Sequence, residues 1–334
     1  MTVFPNEEFT EGPIPAKLTA CCGEGACSRL SAQHSQKTGN VCQISGAAMQ
    51  PAVTLFAQGI HHVSKPETFT QAHIPLTVEG VRLNIATLHR DGVLAPIVFL
   101  HGFGSTKEDY ADVVQQAAFA GHPFIAYDAP GCGESQCGDL SRISIPFLLK
   151  TALQVLEHFG IERFHLVGHS MGGLTALMLA HQCPDRVLSF VDIEGNIAPE
   201  DCFLSRQIVD YPADDPEVFF AAFIERARHA PAYASALYSA SLRHKVRAGA
   251  VRGIFESMVD LSDNADLMGK FLGLPCPRMF MYGEQNASLS YLPHIQAQGV
   301  RLAPIAQCGH FPMYSNPIAM WQQIADFQAN GHRE

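Results

Sequence analysis

The stretch RFHLVGHSMGG, residues 163–173, decides how this chain is read. Its first half is an apolar run of the kind buried in a parallel sheet. Its second half is a G-x-S-x-G motif, Gly168-His169-Ser170-Met171-Gly172, running into a small-residue helix that begins near Met171. A strand that turns sharply into a helix across a serine lifts the hydroxyl above the sheet, and the flanking glycines let strand and helix approach without a Cβ clash. The hydroxyl then sits at a helix N-terminus, where free N–H groups and the helix dipole favour developing negative charge. Ser170 is therefore the candidate nucleophile. The bland reading, a tight packing turn with an inert serine, is weakened by the strand before the motif and the helix after it.

Working outward, strand-like and helix-like segments alternate. APIVFLHG (95–102) and HPFIAYD (122–128) read as strands, and EDYADVVQQAAFAG (108–121) between them as a helix ending at Gly121. IPFLLKTALQVLEHFG (145–160) keeps its apolar residues on one stripe and stops at Gly160, a usual helix C-terminal signal. VLSFVDIEG (187–195), RMFMYGE (278–284) and VRLAPIAQ (300–307) continue the strands, and NPIAMWQQIADFQAN (316–330) is a last helix. Upstream, IPLTVEGVRLNIATLHR (74–90) alternates about Glu79-Gly80 as a β-hairpin. Strands alternating with helices predict an α/β protein with a mostly parallel, doubly wound sheet. The rhythm breaks between about Asn196 and Leu274, where helical segments such as DPEVFFAAFIERARHA occur and no strand is legible. The expected organisation is an N-terminal extension over 1–72, a core over 73–196 and 275–334, and an inserted helical cap over 197–274. In open sheets of this kind ligands bind at the carboxyl ends of the strands, and the cap would roof that edge.

A neutral serine needs a base. Among the sixteen histidines His310 stands out, because Gly309-His310 follows a predicted strand end on the side where the Ser170 turn opens. The oxyanion of an attacked carbonyl needs donors: the backbone N–H of Met171, next to the nucleophile, and that of Phe103 in the loop His101-Gly102-Phe103-Gly104.

With these residues in order, the chain resembles the α/β-hydrolase superfamily, in its helical-cap branch, which holds esterases, lactonases, C–C bond hydrolases, haloperoxidases and haloalkane dehalogenases. His101-Gly102-Phe103-Gly104-Ser105 is similar to the family's oxyanion loop, and Asp128-Ala129-Pro130-Gly131-Cys132-Gly133-Glu134-Ser135 to its D-x-P-G-x-G-x-S turn. Gly168 to Gly173 resembles the nucleophile elbow, and Gly309-His310 the catalytic histidine. The resemblance spans roughly residues 74 to 330. Asp128 reads as architectural, a turn-former for its loop.

The third triad member departs from the common pattern. Many relatives carry an aspartate shortly after the strand that here ends at Tyr282-Gly283, and Asn286 occupies that place. An amide does not stabilise an imidazolium as a carboxylate does. Other relatives move the acid to the tip of the preceding strand, here Val191-Asp192-Ile193-Glu194-Gly195-Asn196. Glu194 is assigned as the orienting acid, in the order serine, acid, histidine, with Glu284 and Asp192 as the alternatives.

Composition excludes other classes. A formal charge of -10 offers no basic footprint for nucleic acid or an anionic membrane surface. The first residues, MTVFPNEEFTEG, are acidic where a signal peptide is basic, and no apolar run approaches the ~20 residues of a membrane span, so a cytoplasmic chain is expected. The ten cysteines read as free thiols of a reducing compartment. Cys21, Cys22, Cys27 and Cys42, near His34, fit no zinc module with paired C-x-x-C ligands. Neither a metal nor an organic cofactor is expected, and the partner is a small-molecule substrate; oligomeric state is not legible. Ester or lactone hydrolysis is the leading expectation. C–C bond hydrolysis of a diketone-type substrate is the runner-up, and a hydrolase-fold binding protein with little turnover is the reading from a different class. A serine at the elbow argues against dehalogenase and epoxide hydrolase chemistry, where the resemblance implies an aspartate. In the cap, Phe219, Phe220, Phe223, Tyr233, Tyr238 and Met258 either line an apolar pocket or pack cap helices together.

Overall fold

A computed structural model describes residues 68–210 and 214–331. Most of the N-terminal extension, with Cys21, Cys22, Cys27, His34 and Cys42, lies outside them. The chain opens with a hairpin, β1 (Thr70–Val78) and β2 (Val81–Arg90), which begins at Thr70 rather than at Ile74. Its turn is Glu79-Gly80, with φ 48° and 81°. Positive φ at both central residues matches the right-handed twist of the flanking strands, and this fixes the hairpin register.

Seven more strands follow: β3 (Ile97–Leu100), β4 (Phe124–Tyr127), the two-residue β5 (Gln136–Cys137), β6 (Phe164–His169), β7 (Val187–Ile193), β8 (Arg278–Gly283) and β9 (Arg301–Ile305). The sheet runs β1-β2-β4-β3-β6-β7-β8-β9, with β5 beside β2. Pairs involving β1 and β2 are antiparallel, and every pair from β4 to β9 is parallel. Parallel neighbours need long crossovers, and helices supply them. These are α1 (Ile145–His158) and α2 (Met171–Gln182) before the insertion, and α8 (Leu292–Ala297), α9 (Pro312–Ser315) and α10 (Pro317–Gly331) after it.

Successive strand residues face opposite sides. Phe99 packs on Tyr110 and on Trp321 of α10, with ring centroids 4.7 and 5.9 Å away. Its neighbour Leu100 lines a small cavity with Leu148 of α1 and Thr175 of α2. Helices therefore cover both faces, as the apolar strand runs require.

One expected helix is not there. Residues 108–121 form two 3₁₀ segments, Lys107–Gln115 and Ala117–Phe119, interrupted by extended backbone at Gln116. The buried side chains of the first are Lys107, Tyr110 and Val113. That spacing of three eclipses them on one side of a 3₁₀ turn and would spread them around an α-helix. Lys107 is the anchor: its ammonium reaches Asp128 at 2.9 Å and Glu134 at 3.0 Å, and Asp128 also accepts the backbone N–H groups of Lys107 and Glu134. Asp128 is thus the turn-former expected of it.

Between β7 and β8 the described residues contain no strand. They form α3 (Phe203–Val209), α4 (Pro216–Arg228), α5 (Ser235–Lys245), α6 (Ala248–Asn264) and α7 (Leu267–Leu272). Asp215 caps α4 by accepting the N–H groups of Glu217 and Val218, and Asp266 caps α7 through Gly269 N–H. No helix of the described residues is long and apolar enough to cross a membrane.

Candidate active site

The elbow is built by steric exclusion. Ser170 sits between β6 and α2 with φ 53° and ψ −120°, a conformation that persists only where the surroundings hold it. A Cβ on Gly168 would lie 2.6 Å from Gly172 O, and one on Gly172 would lie 2.2 Å from Leu100 O. Both neighbours are backbone and cannot yield. Ser170 N–H is tied to Ile193 O at 2.9 Å, so the turn hangs on the next strand.

Three sequence-predicted side chains meet here. Ser170 Oγ lies 2.9 Å from His310 Nε2, and His310 Nδ1–H donates to Glu194 Oε2 at 2.7 Å. With the ring proton on Nδ1, Nε2 is a bare acceptor facing the serine. The Glu194 side chain is 6% exposed and that of His310 40%, so the carboxylate is sealed while the imidazole opens to solvent. Glu194 also takes Gly283 N–H on Oε1 at 2.7 Å and Asn286 Nδ2–H on Oε2 at 2.6 Å. Asn286 therefore holds the Glu194 carboxylate from the neighbouring strand.

The two alternative acids lie elsewhere. Glu284 is exposed. Asp192 is fully buried, and its Oδ1 accepts Gly195 N–H at 2.7 Å. Burial pushes the Asp192 carboxyl up to about 8 and, chiefly for the same reason, that of Asp201 up to about 6. A carboxyl raised on folding lets the unfolded chain release its proton first. Its contribution is therefore fully present below the unfolded value near 3.8 and is lost as pH rises toward 8. Asp192→Asn removes this linkage. Between pH 4 and 8, wild type should lose a few kcal/mol of stability relative to the variant, measured by urea unfolding of both proteins at each pH.

Two buried histidines that the sequence reading did not single out fix the loops. His169 Nε2–H donates to the backbone carbonyl of His310 at 2.8 Å, with the rings 5.0 Å apart. Burial, with His310 next to it, holds His169 well below the usual histidine range, so the ring is neutral. His101 accepts Ala129 N–H on Nε2 at 2.9 Å, which leaves its proton on Nδ1 to be donated to Gly102 O at 2.8 Å. Gly102 in turn lies against the elbow: a Cβ there would be 2.4 Å from His169 Nδ1 and 3.1 Å from Ser170 Cβ. The loop carrying Phe103 is thus held beside Ser170. Met171 begins α2, so its N–H has no intrahelical partner. Phe103 N–H has no hydrogen-bond partner among the described residues.

The inserted helices close over this loop. Tyr238 OH donates to Phe103 O at 3.2 Å, and the Phe103 ring meets Phe223 at 5.7 Å and Phe255 at 4.6 Å. Gly104, with φ 75°, leaves room for Tyr238, whose Cε2 would be 2.3 Å from a Cβ there. Of the aromatic residues considered from sequence, Phe223 and Tyr238 reach the site. Phe219 packs under Arg252, and Phe220 lines a different cavity of about 270 Å³ with Arg243 and Arg247. Tyr233 is 43% exposed, and its N–H is held by Gln285 at 2.9 Å beside Gly309. Met258 is buried in the insertion. Periodicity cannot separate these roles, because the contacts join distant segments. Among the described residues no group of three or more His, Cys, Asp and Glu side chains is arranged to hold a metal ion.

A sheet of this order, with a serine elbow after β6 and a histidine after β9, defines an α/β hydrolase. The sequence model of the alpha/beta hydrolase family matches residues 97–322, and the chain belongs to that family. It is similar to the dihydrolipoyllysine-residue acetyltransferase component of the acetoin cleaving system of Pseudomonas putida, with 41% identity over 98 residues, 28% of this chain and 25% of that protein. It is also similar to the pimeloyl-[acyl-carrier protein] methyl ester esterase of Aeromonas salmonicida, 32% identical over 132 residues, 40% of this chain and 48% of that one. The matches thus span a quarter to a half of those relatives. In fold, it resembles a carboxylesterase of the thaumarchaeon Nitrososphaera gargenis, with a TM-score of 0.64 at 16% identity over 78% of this chain and 99% of that one.

Proposed function

We propose that this protein is a serine hydrolase that cleaves a carboxylic ester or lactone of a fairly hydrophobic small molecule through an acyl-enzyme intermediate. The observation that carries the reading is the unbroken hydrogen-bonded chain from Ser170 through His310 to Glu194. In this mechanism His310 Nε2 takes the Ser170 proton as Oγ attacks the carbonyl carbon. The imidazolium so formed faces the Glu194 carboxylate, and the Met171 and Phe103 N–H groups take the oxyanion. His310 then protonates the leaving alkoxide, and the alcohol departs. Water, activated by the same imidazole, releases the acid from Ser170. No step calls on a metal or an organic cofactor.

Phe103, Phe223, Phe255 and Tyr238 pack on one another where the inserted helices meet the Phe103 loop, and this apolar setting supports a hydrophobic substrate. The esterase among the relatives and the carboxylesterase among the structural neighbours support ester cleavage. A reducing, cytoplasmic setting belongs to this reading and is supported by free Cys132, Cys137, Cys183, Cys202, Cys276 and Cys308.

The test is chemical. An alkyl fluorophosphonate should modify the protein once, at Ser170, located by peptide mass spectrometry, and a panel of chromogenic esters and lactones should be hydrolysed until that label is attached. Absence of both label and turnover would sink the proposal. Within the same assay Asn286→Ala should lower kcat about tenfold with KM unchanged, because it deletes one charge-assisted hydrogen bond to Glu194 and leaves Gly283 N–H in place.

A further inference from the structure

Glu194 reaches His310 only because the chain turns at the tip of β7. Along a strand, side chains two residues apart share a face, so regular extension would send Glu194 the same way as Asp192, toward α2. Instead Glu194 has φ 49°, the left-handed region that a non-glycine residue holds only under external constraint. Two hydrogen bonds supply that constraint. Glu194 N–H is taken by Met281 O on β8 at 3.0 Å, and Gly195 N–H, just past the turn, by Asp192 Oδ1 at 2.7 Å. The second bond closes a loop around Glu194, and there is no slack in it: a Cβ on Gly195 would lie 2.3 Å from Asp192 Oδ1 and 2.8 Å from Gly173 Cα.

We propose that Asp192 is the positioning residue of this site: by accepting Gly195 N–H it locks the left-handed turn that aims the Glu194 carboxylate at His310. The inference rests on the serine-hydrolase reading for what the alignment serves, and on geometry for the alignment itself. Asp192 Oδ2 is buried with no hydrogen-bond partner among the described residues, so the side chain is spent on this one bond. Glu194, Asp201 and Tyr291 are the titratable groups that act on it or feel it, and none is a cation. Burial among them, which raises its carboxyl to about 8, makes it a neutral acid at neutral pH. What it contributes is an acceptor oxygen, and asparagine offers the same oxygen.

Two variants separate positioning from bulk stability. Asp192→Ala should lower kcat about 30-fold, the scale of a misaligned catalytic group, and move KM less than about twofold. It should also abolish the downfield proton resonance of His310 Nδ1–H, which reports the bond to Glu194 and needs no substrate. Asp192→Asn should recover kcat to within about threefold of wild type and keep that resonance. If alanine prevents folding, Asp192→Leu keeps the volume without the acceptor and is read by the same two measurements. Wild-type kcat and resonance in the alanine or leucine variant would overturn the proposal, as would an asparagine variant that behaves like alanine. Should wild type hydrolyse no ester, the hydrolase reading falls and the resonance alone judges the positioning.

Discussion

Ser170→Ala will reduce ester turnover by about 10⁶-fold, and Glu194→Gln by about a thousandfold or more, with both proteins folded. The first loss follows from removing the atom that forms the covalent bond. The second is decided by counting donors. Three converge on the Glu194 carboxyl: Gly283 N–H on one oxygen, and His310 Nδ1–H with Asn286 Nδ2–H on the other. A glutamine has one acceptor oxygen, and the arrangement that loses least turns it toward His310 and Asn286. Its NH₂ then opposes Gly283 N–H. The His310 tautomer survives, but the negative charge facing the imidazolium does not, so the loss falls on kcat rather than KM. Glu284→Gln, on an exposed side chain, should stay within about twofold of wild type. Steady-state kinetics on one chromogenic ester reads all three variants. If Glu284→Gln lost the activity and Glu194→Gln kept it, the acid assigned here would be the wrong one.

What could be read from sequence was what local sterics dictate. The elbow is legible because the glycines at 168 and 172 stand where any Cβ meets backbone. The strands are legible because burial on both faces forces apolar runs, and Gly160 marks the end of α1 through its positive φ of 62°. Glu194 is assigned from the family resemblance, since Asn286 fills the commoner place and the tip of β7 offers another carboxyl, and its side chain lies 2.7 Å from His310 Nδ1. The segment 108–121 misled because its apolar content suits either helix type. The three-residue spacing of Lys107, Tyr110 and Val113 was the usable signal, but Lys107 looks like a surface residue until its partners on the Asp128 loop are known. Asn286, His169, Asp192 and Tyr238 act across gaps in sequence or through backbone atoms. Asn286 meets Glu194 only because the sheet sets β8 beside β7, and the bond from Tyr238 crosses from the insertion to the core.

Gly172→Ala should be the most damaging single methyl in the described residues. Its Cβ would sit 2.2 Å from Leu100 O and 2.5 Å from His101 O, inside contact distance of two carbonyls that belong to β3 and the start of the loop that carries Phe103. Neither can retreat alone: β3 is hydrogen-bonded between β4 and β6, and His101 is fixed on both ring nitrogens. The overlap must move α2 away from the sheet or push β3 aside. Either course costs more than about 4 kcal/mol, at the extreme of single substitutions, and lowers Tm by about 6 °C or more for a chain of this size. Gly160→Ala is the matching comparison. Its φ is 62° and nothing lies within 4 Å of the added Cβ, so it bears only the left-handed backbone cost of about 1 kcal/mol. Scanning calorimetry on the two variants separates crowding from conformation. Equal losses would mean that helix and strand at the elbow can part without disturbing the core. A surviving Gly172→Ala protein should also be slow with every ester, because the displaced strand carries Phe103 and the displaced helix carries Met171, and the two proposed oxyanion donors would no longer point at one spot.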